Sequence, residues 1–130
     1  MKFEYSRDIS PPALLLPIRI APIGADFWVK HSAQIDTGAD LSVVPRDLVR
    51  DLHLFPHGSR IARGALSSEP LIPPTYHVQL IIAENFRFEA PVLAAPCNYI
   101  IIGRDLLNHF VLHADGPSQK FELFMPDKIP

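Results

Sequence analysis

The chain has 130 residues, 48% of them hydrophobic, with fourteen prolines and a formal charge of −2, so one compact core and a single domain over residues 1–130 are expected. Acids and bases are interspersed, which excludes the basic stripe that neutralises phosphates and with it a nucleic-acid partner. The lone Cys97 excludes an internal disulfide, and with the charged opening MKFEYSRDIS it sets the expectation of a cytoplasmic protein.

Taken in chain order, the first apolar run is ALLLPIRI. Pro17 and Arg19 interrupt it well short of the roughly 20 residues a membrane helix needs, so no span is assigned. LLLPIRI (14–20) and DFWVKHSAQI (26–35) flank the turn-like APIGA and predict a β-hairpin in which Phe27, Val29 and the following alternate residues share a face. Directly behind this strand stands DTGAD, with Asp36 and Asp40 four residues apart. PRDLVRDL then places Pro45 where a first helical turn tolerates it, and Leu48, Val49 and Leu52 at helical spacing, predicting a short helix over 45–52. The stretch 58–74 scatters Gly, Ser and Pro and reads as a mobile excursion. YHVQLIIA (76–83) and FRFEAPVL (86–93) repeat the hairpin plan around Glu84-Asn85. After Gly103, RDLLNHF predicts a second short helix with Leu106, Leu107 and Phe110 turned inward, and KFELF (120–124) predicts a final strand. The class is therefore all-β with one or two short helices.

The two halves echo one another. QIDTGADLS aligns with YIIIGRDLL at a constant offset of 65 residues, pairing Ile35 with Ile100, Gly38 with Gly103, Asp40 with Asp105 and Leu41 with Leu106. In the second copy Ile101-Ile102 stands where the first has Asp36-Thr37, so one copy alone carries the acid.

Other chemistries fit these residues poorly. A calcium loop fails because Gly38 stands where an acid or amide is needed and Leu41 where glycine is needed. His53 with His57, and His109 with His113, have the spacing of helical metal ligands. Pro56 interrupts the first pair and neither carries a zinc-protease Glu, so both read as surface or satisfied histidines and no metal is assigned. Cys97 reads as a small buried hydrophobe, and Trp28 as core or interface.

At IDTGAD and YIIIGRDLL the chain resembles the retropepsin-like, single-lobed aspartic proteases, over residues 14–125. The resemblance implies a closed β-barrel lobe that acts as a two-fold homodimer and hydrolyses peptide bonds without a cofactor. It implies Asp36 of each subunit as the catalytic pair, Thr37, Gly38 and Ala39 as its support, and Asp40 with Arg104 as a structural ion pair near the interface. It further implies a flap with Gly64, Ala65 and Leu66 at its tip. Val92 and Ile101, with Leu66, are expected in an apolar substrate cleft, and KFELF in an interface sheet. The alternative is a catalytically weak peptide-binding or dimerisation module on the same fold.

Overall fold

The computed structural model describes residues 1–59, 73–83 and 85–126. The expected flap residues Gly64, Ala65 and Leu66 lie outside them.

The elements are β1 (Lys2–Glu4), β2 (Leu15–Pro22), β3 (Val29–Ile35), β4 (Val43–Pro45), α1 (Arg46–Asp51), β5 (Pro56–Ser59), β6 (Pro74–Ile82), β7 (Phe86–Ala95), β8 (Ile100–Ile102), α2 (Arg104–Leu107), β9 (Val111–Asp115) and β10 (Lys120–Phe124). Both predicted hairpins form: β2 pairs antiparallel with β3, and β6 with β7. They join because Arg19 to Pro22 of β2 also pairs with Val78 to Ile81 of β6. On the other side, β8 lies parallel to β3, and β4 bridges β8 to β7. The order β2-β3-β8-β4-β7-β6 thus returns to β2 and closes a six-stranded barrel, with β5 appended to the outer edge of β6. Closure leaves no open edge within the ring.

The sequence pattern explains the closure. In β2, Leu16, Ile18 and Ile20 are buried while Pro17 and Arg19 are exposed, the period-2 alternation of a strand with one face on a core. Val78, Leu80 and Ile82 of β6 and Ile100 and Ile102 of β8 meet them inside. Gln79 points the other way and is still fully buried. Its amide nitrogen donates to the carbonyls of Pro22 (3.0 Å) and Ala25 (3.2 Å), and its oxygen accepts from Arg87, so the β2–β3 turn is tied to the outer face of β6. A buried amide is tolerated when its groups are paired in this way.

Several expectations change in detail. Phe27, expected on one face of the strand with Val29, precedes β3 and is half exposed. Trp28 is half-buried under the Arg87 guanidinium, 5.5 Å from its ring centre. The predicted helix over 45–52 forms as α1, with Leu48 and Leu52 buried. The second helix is one turn only, after which Phe110 packs against Phe86 and Phe88. Val92, expected in a substrate cleft, is 1% exposed inside the barrel. The pairing of β7 with β6 puts Val92 opposite Tyr76, and alternation then turns Val92 inward with Ala90.

Outside the barrel, β1, β10 and β9 form a second sheet in that order. Phe121 anchors it, stacked on Phe3 at 5.0 Å and tilted against Tyr5. KFELF is the middle strand, paired on both sides within its own chain, so it offers no free edge to a partner. No helix among the described residues is long and apolar enough to cross a membrane.

Candidate active site

The DTGAD loop begins where β3 ends. The backbone N–H of Asp36 donates to the carbonyl of Ile102 (3.0 Å), continuing the β3–β8 ladder by one rung, and the Ala39 N–H closes a turn onto the Asp36 carbonyl (3.2 Å). Within that turn the Gly38 N–H donates to Asp36 Oδ1 at 2.9 Å. A Cβ on Gly38 would stand 3.2 Å from that same oxygen, so glycine lets the backbone approach the carboxylate closely enough to hold it. Asp36, Thr37 and Gly38 are exposed, and Ala39 is half-buried beneath them.

The second motif braces the first. Arg104 reaches back across the loop: its backbone N–H donates to Ala39 (2.8 Å), one guanidinium nitrogen donates to the Thr37 carbonyl (2.7 Å), and the other contacts Asp40 Oδ1. The Asp105 N–H also donates to the Asp40 carbonyl (3.3 Å). Asp40 and Arg104 are thus brought together as an exposed ion pair. Exposed pairs contribute little energy by themselves, so the contacts of Arg104 with the loop backbone matter more.

A buried network beneath this brace is invisible to motif reading. Ser42, 1% exposed, donates its backbone N–H to Asp105 Oδ2 (3.1 Å) and its hydroxyl to Asp105 Oδ1 (2.8 Å). The same hydroxyl accepts the Gly103 N–H at 3.0 Å, and the Leu106 N–H adds a 3.0 Å bond to Asp105 Oδ1. Gly103 itself sits against backbone: a Cβ there would meet the Leu41 carbonyl carbon at 2.8 Å and the Ala39 oxygen at 2.9 Å. The sequence signal was the repeat that aligned Asp40 with Asp105, which marked Asp105 without assigning it a partner.

Ile101, the repeat counterpart of Asp36, lies on β8 beside Gln34 and is half-buried. Val92 is in the core and does not join these residues. Cys97 is half-buried; burial pushes its thiol up, against a smaller downward effect of its bond to the Tyr99 carbonyl. That is the wrong direction for a nucleophile.

No family model and no curated protein matches the sequence. Solved structures do. A retropepsin-like aspartic protease from Rickettsia conorii superposes with a TM-score of 0.62 at 16% identity, over 95% of this chain and 88% of that one. The chain has a retropepsin-like fold. The EIAV protease, solved with the inhibitor HBY-793, gives 0.56 at 18% identity over 82% of this chain and 92% of its own. A foamy viral protease-reverse transcriptase, bound to an RNA/DNA hybrid, gives 0.55 at 19% identity over 74% of this chain. This chain spans only 12% of that longer protein. In all three the likeness is one of fold. In the retropepsin-like lobe described here, the exposed Asp36 carboxylate stands at the end of the barrel where β3 and β8 finish side by side.

Proposed function

We propose that the chain is an aspartic endopeptidase, active as a two-fold homodimer in which Asp36 of each copy forms the catalytic pair. The observation that carries this reading is the exposed Asp36 carboxylate, held by Gly38 on a loop that Arg104 braces from behind, in a retropepsin-like fold. One chain supplies one such acid, because Ile101 occupies its repeat position. An isologous contact places the same residue of each copy near the axis and so supplies the second.

Two carboxylates about 3 Å apart cannot both ionise easily, so they share a proton and titrate as a pair. The ionised member takes a proton from water, which attacks the peptide carbonyl, while the protonated member donates to the carbonyl oxygen. The roles reverse as the tetrahedral intermediate collapses and the amine leaves. The chemistry requires no metal or cofactor, since the pair itself supplies both base and acid. Thr37 serves as a hydrogen-bonding link across the axis, Gly38 and Ala39 leave room for an extended peptide, and Ile101 contributes an apolar wall. Asp40 and Arg104 hold the loop in place near the interface. The lone Cys97 fits a cytoplasmic setting.

The deciding experiment is cleavage of a diverse peptide library between about pH 3.5 and pH 7, where a shared-proton pair works, by wild type and Asp36→Asn at matched concentration. Cuts that disappear in Asp36→Asn, with a bell-shaped pH profile, are the expected result. A dimeric wild type that makes no cuts would instead indicate a peptide-binding module on this fold.

A further inference from the structure

The spacing of His53 and His57 in the sequence leads nowhere, but the fold gives His57 a different partner. The register of β5 on β6 sets Pro56 opposite Tyr76 and so makes His57 and His77 diagonal neighbours on one face. Their imidazoles meet edge to face, with ring centres 4.3 Å apart and planes at 81°. Both side chains are exposed, on the outermost strand pair of the larger sheet. They line a surface cavity of about 330 Å³ whose other walls are Pro22, Ile23, His53, Leu54 and Phe55.

We propose that His57 and His77 form a binding site for a borderline-soft divalent transition metal ion, of which Zn²⁺ is the type. Two imidazoles supply two nitrogen donors on adjacent strands. No Asp, Glu, Lys or Arg is among the described residues lining the cavity, so none of these residues supplies the hard oxygen ligands that Mg²⁺ and Ca²⁺ need. The other walls are largely apolar, with Phe55 82% exposed. His53 faces the same cavity, from a left-handed backbone position (φ 52°) just after α1. Among the described residues no three metal-ligating side chains gather into one group. The described residues thus offer two imidazole donors, His57 and His77.

Such an ion would tie β5 to β6. That pairing shifts register between Pro56 and Ser59, and the Thr75 hydroxyl donates to the His57 carbonyl (2.9 Å) across it. An ion bound only by the folded state stabilises it by mass action. The site is separate from Asp36 and does not depend on the proposed peptidase activity.

The test is calorimetric titration of the chelator-stripped full chain with ZnCl₂, with thermal unfolding followed in parallel and MgCl₂ as the control. The expected result is one saturable equivalent of Zn²⁺, a rise in Tm with Zn²⁺ and none with Mg²⁺. His57→Gln and His77→Gln should each weaken binding at least about tenfold, since loss of even an outer-shell partner of a metal ligand costs that much, while His113→Gln binds as wild type does. In the unsubstituted chain, Cu²⁺ should selectively broaden the ring proton resonances of His57 and His77, which keeps the test independent of how the variants fold. Absence of saturable binding, undiminished binding in both glutamine variants, or broadening centred on other histidines would overturn the proposal.

Discussion

Gly103 shows how little freedom the residues behind the DTGAD loop have. Its backbone is ordinary, but a Cβ would fall within 3 Å of main-chain atoms of Ala39 and Leu41, and main chain cannot rotate away as a side chain can. Gly103→Ala should therefore cost about 1–3 kcal/mol, the usual range for overpacking, read as a lower denaturation midpoint at unchanged m-value. Ser42 and Asp105 bear on the same contact. Removing the Ser42 hydroxyl leaves the Gly103 N–H without its acceptor in a buried position, a loss of about 1–3 kcal/mol. Ser42→Ala and Asp105→Ala remove the same shared bond. A double-mutant cycle should therefore give a coupling energy of about 0.5–3 kcal/mol, and additivity would mean that the two residues act separately.

At the scale of elements, the chain divides by strand length into what could be read in advance and what could not. The strands β2, β3, β6 and β7 are seven to ten residues long and carry enough alternation to be recognised. Of the three-residue strands, β8 shows as the unbroken Ile100–Ile102 run before Gly103, whereas β1 and β4 span too few residues for any period to show. They exist because of what they pair with: β4 fills the gap between β7 and β8. In β9, only Val111 and Leu112 are part-buried and the remaining three residues are exposed, so the sequence carries no core signal there. Val92 was misplaced for a related reason. Alternation separates the two faces of a strand, but only barrel closure decides which of them is the interior. The carboxylate of Asp36 was legible as a motif, and the Ser42–Asp105 bonds were not, since a serine in a loop and an aspartate in a one-turn helix 63 residues later have no spacing rule. The turn from β9 to β10 adds a pH prediction. Asp115 accepts the Ser118 hydroxyl and, at 3.2 Å, the Ser118 N–H, and these bonds hold its carboxyl below the usual carboxylate range. A lowered folded value means stability that is present above the unfolded-state value and is lost as pH falls through the folded one. Asp115→Asn should therefore be less stable than wild type near neutral pH, and the gap between their denaturation midpoints should close as the pH falls below the usual carboxylate range.

For the molecule as a whole, the arrangement of its edges limits how two copies can meet. The barrel is closed, and KFELF is already flanked on both sides by its own chain. The outer edge of β1 carries exposed Lys2 and Glu4, the kind of charged edge that resists strand addition. A dimer built around Asp36 would bring the exposed DTGAD faces of the two copies together. Mixing wild type with Asp36→Asn gives a test that the single variant cannot. If each active site needs one Asp36 from each copy, mixed dimers lack one acid, and random pairing at equal amounts leaves about one quarter of the dimers with both. Specific activity per wild-type chain should accordingly fall to about half on adding an equal amount of Asp36→Asn and continue to fall as the variant is increased, whereas added bovine serum albumin should leave it unchanged. Activity per wild-type chain that stays constant across the mixing series, with subunit exchange verified by fluorescence transfer between labelled copies, would mean that one Asp36 suffices and that the shared-carboxylate mechanism does not operate in this chain.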